Sequence, residues 1–300
     1  METEGIIIKI RIMIFSGFAI SNDFLSLAPE WFLFTLAFGF GVIIGSFLNV
    51  YIYRFHTGKS LAGHSHCLSC GTELRWFELI PLLSYLGLRG RCRSCGCTIP
   101  SRYFLVELVT GVLFSATLWL SLDIVAVLLL WFIFSILVVI TVYDLYHFII
   151  PDVQTVALTV VVLILLGYRQ YLGGAIDVAE LGWQILAALA GSGFFLFLWL
   201  ISKGQWIGFG DVKLAFPLGL LVGTSYVFSF VVLSFWIGAG ISLSIMGVAY
   251  LLKRGKDHLH LPGRALTMKS AVPFAPFLVA SCLVTLFTHF NVLKLFSFIV

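Results

Sequence analysis

Charged residues are scarce in this sequence. They make up 11% of the 300 residues, whereas 60% of the residues are hydrophobic. A soluble fold of this size needs a charged surface that covers its apolar side chains, so this composition excludes an ordinary soluble protein. The lipid bilayer is therefore expected to be the solvent for most of the chain.

No cleavable secretory signal is expected from the first residues. Residues 5–20 are apolar, but Lys9 and Arg11 interrupt them, and no small-residue cleavage site follows. We interpret residues 1–30 as an interfacial lead-in to the first membrane span.

Apolar runs of about 20 residues recur along the chain, and a helix of that length crosses a bilayer. Eight such runs are predicted, at residues 31–53, 103–121, 124–143, 152–168, 181–202, 212–226, 227–252 and 272–293. The fourth and sixth runs are short for a full span. Pro217 and Gly219 in the sixth indicate a bent or tilted helix that lines a cavity. The predicted fold class is an all-α polytopic membrane protein with about eight transmembrane helices.

Basic residues are rare in the turns that would face away from the cytoplasm. Most of the 18 lysines and arginines lie in residues 54–102 or 253–269. Two blocks of this kind mark cytoplasmic loops, and they do not indicate a nucleic-acid-binding surface. With eight alternating spans, Asp144 and Asp211 then lie at the same cytoplasmic edge of the membrane, although two spans separate them along the chain.

Two short cysteine motifs lie in the one substantial polar segment, residues 54–102. They are Cys-Leu-Ser-Cys-Gly at 67–71 and Cys-Arg-Ser-Cys-Gly at 92–96. Paired motifs of this kind present four thiolates to a tetrahedral zinc ion, and thiols in a cytoplasmic loop stay reduced. We therefore expect a closed structural zinc site that folds a loop with little core of its own. The predicted ligands are Cys67, Cys70, Cys92 and Cys95.

Other interpretations of these motifs remain open. A redox-active thiol pair or a chance cluster would have the same Cys-x-x-Cys spacing. Cys97 adjoins the second motif and could replace Cys95 as a ligand. His64 and His66 precede the first motif, and we interpret both as solvated loop residues.

Two of the seven aspartates carry the functional hypothesis. Asp144 closes the third apolar run, where a carboxylate meets the unfavourable end of the helix dipole. Asp211 follows Gly208 and Gly210 at the start of the sixth run, in Gly-Phe-Gly-Asp. A carboxylate in a first helical turn can also serve as a cap; we favour that role for Asp152, and it remains open for Asp211. Ionisable residues in such segments are functional suspects.

Two carboxylates brought together can share one proton. The ionised member then deprotonates a water molecule, while the protonated member polarises a carbonyl group. Gly208 and Gly210 would leave room for a substrate backbone beside Asp211. This chemistry is that of an aspartic protease.

At these residues the chain resembles the GxGD intramembrane aspartic proteases, which pair Gly-x-Gly-Asp with Tyr-Asp, here Tyr143-Asp144. Further segments are similar to the type IV prepilin peptidases within that group. They are Gly-Ser-Phe-Leu-Asn-Val at 45–50, Ile-Pro-Leu-Leu-Ser-Tyr at 80–85, Leu-Arg-Gly-Arg-Cys at 88–92, Gly-Asp-Val-Lys-Leu at 210–214 and Pro-Phe-Ala-Pro-Phe at 273–277. The likeness runs from about residue 37 to 290, and Ala275 stands where the family usually has glycine.

The resemblance implies that Asp144 and Asp211 are the catalytic pair. The residues implied to support them are Gly208, Gly210, Lys213 and Asp152. It also implies that the enzyme cuts the basic leader of type IV prepilins or pseudopilins after a glycine, on the cytoplasmic side of the bacterial inner membrane. Many family members then methylate the new N-terminus with S-adenosylmethionine, but no motif here identifies a pocket for that methyl donor.

The chain is accordingly expected to divide into four parts. They are a lead-in at 1–30, a first transmembrane helix at 31–53, a cytoplasmic zinc-binding domain at 54–102 and a seven-helix peptidase domain at 103–300. Two other functions compete with this one. A different GxGD protease would cut within its substrate's transmembrane segment, and the cysteine motifs argue against it. An aspartate-based ion or proton transporter would carry inverted repeats and midplane carboxylates.

Overall fold

The computed structural model describes residues 29–55, 60, 63–174, 176–253, 260–261, 264–265 and 272–297. Nearly all of the predicted lead-in, residues 1–28, lies outside these residues, as do parts of the basic segment 253–269. The described chain is almost wholly helical, which confirms the predicted fold class.

Ten α-helices follow one another through the described residues. They are α1 Glu30–Arg54, α2 Leu83–Gly87, α3 Arg102–Leu120, α4 Ile124–His147, α5 Asp152–Leu172, α6 Val178–Ser202, α7 Phe209–Val222, α8 Val227–Lys253, α9 Ala275–Thr288 and α10 Val292–Ser297. A 3₁₀ turn forms at Trp76–Leu79. Two-residue strands, β1 His260–Leu261 and β2 Arg264–Ala265, pair antiparallel with His260 opposite Ala265.

All eight predicted apolar runs are helical, but they differ in length. Among the described residues, six helices are long and apolar enough to span a bilayer, namely α1, α3, α4, α5, α6 and α8. The fourth run, expected to be short, is the 21-residue α5. Helices α7 and α9 have 14 residues each. At 1.5 Å per residue such a helix is about 21 Å long, shorter than the roughly 30 Å hydrocarbon core.

The chain divides into two compact units. One comprises Met1–Val139 and Ile164–Ile176, and the other comprises Ile140–Leu163 and Asp177–Val300. The boundaries fall within α4 and α5, so each of these helices contributes to both units. The cysteine motifs belong to the first unit, and the three aspartates at positions 144, 152 and 211 belong to the second.

Helices α1 and α3 pack closely in the first unit. A Cβ atom at Gly41 would lie 2.7 Å from the Cα atom of Gly111, so these two helices approach each other backbone to backbone. Nearer the cysteine loop, Asn49 Nδ2 donates a hydrogen bond to the carbonyl of Tyr103 at 3.0 Å. The start of α3 is thereby held against the end of α1.

In the second unit the short helix α7 is surrounded by protein. It packs against α6 and α9, and ten of its 14 residues are buried. Because its backbone lies among other helices and not in lipid, a short helix that contains Pro217 is tolerated. Burial of α7 also holds its first turn, with Asp211, inside the unit.

Two other aspartates, Asp123 and Asp177, lie just before helices α4 and α6, and both have structural partners. Asp123 accepts hydrogen bonds from the Ala126 N–H and from the Tyr168 hydroxyl, each at 2.9 Å. Asp177 caps α6 by accepting from the Ala179 N–H at 2.8 Å. These contacts suffice to explain both residues without a catalytic role.

Candidate active site

Asp144 and Asp211 lie at facing ends of two helices. Asp144 is in the last turn of α4, and Asp211 is the third residue of α7. Both are buried, with 5% and 7% of the residue surface exposed. The two carboxyl groups are close enough to interact electrostatically. The structure therefore brings together two carboxylates that are 67 positions apart in the sequence.

A backbone donor holds the carboxylate of Asp144 at the unfavourable end of α4. This donor is the N–H of Ala275, the first residue of α9. The positive end of the α9 dipole therefore faces Asp144 and offsets the dipole of α4. The Oδ2 atom of Asp144 is buried and has no hydrogen-bond partner among the described residues. Buried polar atoms without a partner are rare in proteins, so this oxygen calls for a functional explanation.

Asp211 also accepts a hydrogen bond from a backbone group. Its Oδ2 atom lies 3.2 Å from the Gly208 nitrogen, which donates at the start of α7. The capping role considered for Asp211 is therefore present, and it coexists with the electrostatic interaction with Asp144. A Cβ atom at Gly208 would lie 3.3 Å from the same carboxylate oxygen, so glycine leaves the surroundings of this group open.

Gly210 has a packing role that the sequence did not indicate. A Cβ atom there would lie 3.1 Å from the Ile150 side chain, in the connection between α4 and α5. The absence of a side chain thus allows the first turn of α7 to lie against the segment that follows Asp144. That Gly208 and Gly210 admit a substrate backbone stays a prediction.

Lys213, the fifth residue of α7, forms an ion pair with Asp152, the first residue of α5. Lys213 Nζ also lies 5.4 Å from the centre of the Phe209 ring. The Asp152 side chain is 71% exposed, so it does not share the buried environment of the other two aspartates. Its first-turn position was predicted. The pairing was missed, because the two residues are 61 positions apart.

The contribution of Ala275 was also missed. The sequence drew attention to this position only because alanine replaces the family's usual glycine. The group that acts is a backbone N–H, which every residue except proline supplies. No side-chain pattern could have identified it.

The four predicted metal ligands form one cluster in the first unit. The Sγ atoms of Cys67, Cys70, Cys92 and Cys95 all lie within 4.8 Å of one another. Four zinc–sulfur bonds of about 2.3 Å in a tetrahedron place the sulfurs about 3.8 Å apart. The Cys67 and Cys95 sulfurs are separated by 3.9 Å. The cluster can therefore hold a metal ion of this size.

The two cysteine motifs fold into equivalent turns. The Gly71 N–H donates to the Cys67 carbonyl, and the Gly96 N–H donates to the Cys92 carbonyl, each at 2.9 Å. Both glycines have positive φ angles, +73° and +70°, which glycine adopts without steric cost. Cys97 remains an alternative to Cys95 as the fourth ligand, because its Sγ atom lies 3.5 Å from that of Cys67. His64 and His66 are exposed, as predicted.

The described residues thus define a multi-pass membrane protein with a buried pair of aspartates and a four-cysteine cluster. Two family models match the chain. Residues 40–121, which include all four clustered cysteines, match the Bacterial Peptidase A24 N-terminal domain. Residues 131–243, which include both buried aspartates, match the Type IV leader peptidase family. The chain belongs to the type IV leader peptidase family and is a peptidase.

Individual relatives agree with this assignment. A protein of Aeromonas hydrophila is 32% identical over 83% of this chain and 88% of its own length. A protein of Legionella pneumophila is 29% identical over 86% and 92% of the two chains. A shorter match, 47% identical over 42% of this chain and 36% of the relative, is to a protein of Myxococcus xanthus. All three are named prepilin leader peptidase/N-methyltransferase. The comparison with solved structures gives no match.

Proposed function

We propose that this protein removes the basic leader peptide from type IV prepilins or pseudopilins and then methylates the new N-terminus. The observation that carries the peptidase activity is the pair of buried carboxylates, Asp144 and Asp211, within the part of the chain that matches the peptidase family. The names of relatives aligned over most of the chain support the substrate and the methylation.

In the proposed reaction the two aspartates share one proton, because two adjacent negative charges repel each other in a buried site. The ionised carboxylate takes a proton from water, and the water oxygen attacks the carbonyl carbon of the scissile peptide. The protonated carboxylic acid donates its proton to the carbonyl oxygen. When the tetrahedral intermediate collapses, the carbon–nitrogen bond breaks and the leaving nitrogen receives a proton from the carboxyl that took it from water. One hydroxyl group of the intermediate returns its proton to the other carboxylate as the carbonyl re-forms, which restores the shared proton of the pair.

Backbone donors orient both groups for this step. The Ala275 N–H fixes Asp144, and the Gly208 N–H fixes Asp211, so neither depends on a mobile side chain. The unpartnered Oδ2 atom of Asp144 is the atom that we assign to the attacking water. Such preorganisation matters because a displacement of about 1 Å can cost on the order of a hundredfold in rate.

We propose that the four-cysteine cluster holds a structural zinc ion within a cytoplasmic domain at 54–102, and that 103–300 forms the peptidase domain. Four thiolates leave no open coordination position, so such a zinc ion would stabilise the loop without taking part in cleavage.

The proposed location is the bacterial inner membrane, with the cysteine loop and the aspartates on the cytoplasmic side. Basic residues in 54–102 support this orientation through the positive-inside rule. Helices α5 and α6 are both long enough to cross the membrane. The segment before α5 and the segment after α6 then emerge on the same side, which is the side of both aspartates.

The test is to incubate the purified protein with a full-length prepilin and to determine the product masses. Cleavage directly after the glycine at the end of the basic leader, with one added methyl group when S-adenosylmethionine is present, is the expected result. A cut deep within the apolar segment would indicate a different GxGD protease. An intact substrate, with wild-type protein that is folded, would contradict a peptidase of this specificity.

A further inference from the structure

A cavity of about 620 Å³ lies in the first unit, and neither Asp144 nor Asp211 lines it. It is formed by the end of α1, the cysteine loop with α2, and the first two turns of α3. Its volume is within the range of about 300–1,000 Å³ that is usual for small-molecule sites. The methylation proposed above requires such a site for its methyl donor.

Four aromatic side chains line this cavity. Tyr85 and Phe104 both line it, and their ring centres are 5.3 Å apart. Tyr53 and Tyr103 add two further rings. Aromatic faces stack on a flat heterocycle and also attract cations, and the positively charged sulfonium of S-adenosylmethionine is such a cation.

Charged groups of both signs also line the cavity. Glu107 is buried, and one of its carboxylate oxygens accepts a hydrogen bond from the Leu82 N–H at 2.8 Å. Arg54, at the end of α1, lines the same cavity and donates to the Ser60 carbonyl at 2.7 Å. A ligand with separate cationic and anionic ends therefore finds complementary charge here.

We propose that this cavity binds S-adenosylmethionine; the proposal rests on the methyltransferase half of the proposed function. The aromatic side chains would take the adenine ring and face the sulfonium. Glu107 would accept hydrogen bonds from the sugar hydroxyls or the ammonium group, and Arg54 would pair with the amino-acid carboxylate. Bound here, the donor would supply the electrophilic methyl group.

The experiment compares two phenylalanine substitutions on α2. Ser84 lines the cavity, so Ser84→Phe places a ring in the ligand volume, whereas Leu86 is exposed and lies outside the cavity lining. S-adenosylhomocysteine, the non-reactive product, is titrated calorimetrically into full-length protein in nanodiscs. We expect saturable binding by the wild-type protein and by Leu86→Phe. We expect Ser84→Phe to bind at least about tenfold more weakly.

A second variant covers the case in which Ser84→Phe does not fold, as judged by its thermal unfolding midpoint. Glu107→Gln keeps the acceptor for the Leu82 N–H and removes only the charge. It too should weaken binding of the probe. Wild-type protein that does not bind the probe would overturn the proposal, and so would undiminished binding by both folded variants.

Product mass separates this proposal from the function on which it rests. Methylated product from wild-type protein, together with undiminished probe binding by the cavity variants, would leave the methyltransferase function standing and place its site elsewhere. Cleaved but unmethylated product, with no probe binding, would overturn both the methyltransferase function and the proposed site.

Discussion

At the scale of single residues, backbone groups set the geometry of the candidate site as much as side chains do. Asp144 depends on the Ala275 N–H and Asp211 on the Gly208 N–H. Each donor lies at the start of a helix, where N–H groups are free to bond to an acceptor and the dipole favours negative charge. Two carboxylates can therefore be buried together at a position where charge alone would drive them apart.

The ion pair between Lys213 and Asp152 should assist the site without being essential. Because the Asp152 side chain is 71% exposed and that of Lys213 34% exposed, the pair contributes at most about 1 kcal/mol. We expect Asp152→Asn to lower the rate of leader cleavage only a few-fold, with little change in thermal unfolding. The double variant that carries both Asp152→Lys and Lys213→Asp exchanges the two charges. It should cleave the leader faster than a variant that carries only one of these two substitutions. Complete loss of cleavage in Asp152→Asn would move Asp152 into the catalytic group.

The sequence allowed some of these residues to be identified and not others. Asp144 could be singled out because a carboxylate at a helix C-terminus has no local explanation, and Asp211 because it follows two glycines. The membrane topology, which basic residues indicate, places both aspartates at the same edge of the membrane, but it does not predict how they pack. The sequence does not indicate that Lys213 and Asp152 pair with each other. They belong to different helices and lie 61 positions apart, and lysine and aspartate near a helix start are common without such a partner.

At the scale of secondary structure, the start of α7 is the element on which the site depends. From Asp211 onward α7 is mostly buried, and Gly210 allows its first turn to lie against Ile150. Any side chain at position 210 must push α7 and the α4–α5 connection apart. Because these two segments carry Asp211 and Asp144, their separation should affect catalysis before it affects folding.

We therefore expect Gly210→Ala to lower kcat/KM for leader cleavage by roughly tenfold to a hundredfold. The reason is that its Cβ would lie only 3.1 Å from the Ile150 side chain. Gly193→Ala in α6 is the matched control, since a Cβ atom there meets nothing within 4 Å. Adding Ile150→Ala should recover part of the activity of Gly210→Ala. If the two glycine variants have equal activity, the packing role of Gly210 is wrong.

Substitution of a metal ligand in the cysteine loop should lower both the metal content and the stability of the protein. Metal analysis of the purified protein is expected to give about one zinc per chain. Cys70→Ser should reduce the zinc content and lower the temperature at which the protein unfolds, because metal binding and folding of such a loop are coupled.

Cys97→Ser should keep its zinc. Loss of zinc in Cys97→Ser but not in Cys95→Ser would make Cys97 the fourth ligand, and a disulfide in place of metal would contradict the cytoplasmic location.

At the scale of the whole molecule, hydropathy located every long helix but could not set the number of spans. Composition shows which runs are apolar, whereas helix ends depend on local backbone conformation. Helix α7 ends before Gly223, whose φ angle is +81°, and α9 begins only after Pro273. The sequence also cannot distinguish an apolar helix that faces lipid from one, such as α7, that is covered by protein.

The same topology makes a prediction about the substrate. A leader with several lysines or arginines stays in the cytoplasm, since inserting each charge costs roughly 2.5–3.5 kcal/mol. The leader should therefore set how deep the scissile bond lies at the membrane edge. Prepilins whose cleavage glycine is moved several residues into the apolar helix should be cut much more slowly than the parent. Equal rates would mean that depth does not select the bond, and that the enzyme resembles the signal-peptide-peptidase class.

The most direct test of the central claim is to measure kcat/KM for leader cleavage by Asp144→Asn, by Asp211→Asn and by the double variant. Asparagine keeps the shape of aspartate but can neither accept nor release the shared proton, so each single variant should lose essentially all activity while still inserting in the membrane. Since both residues act as one unit, the double variant should be no slower than either single variant. Substantial cleavage by one single variant, or losses that multiply in the double variant, would contradict a catalytic pair of Asp144 and Asp211.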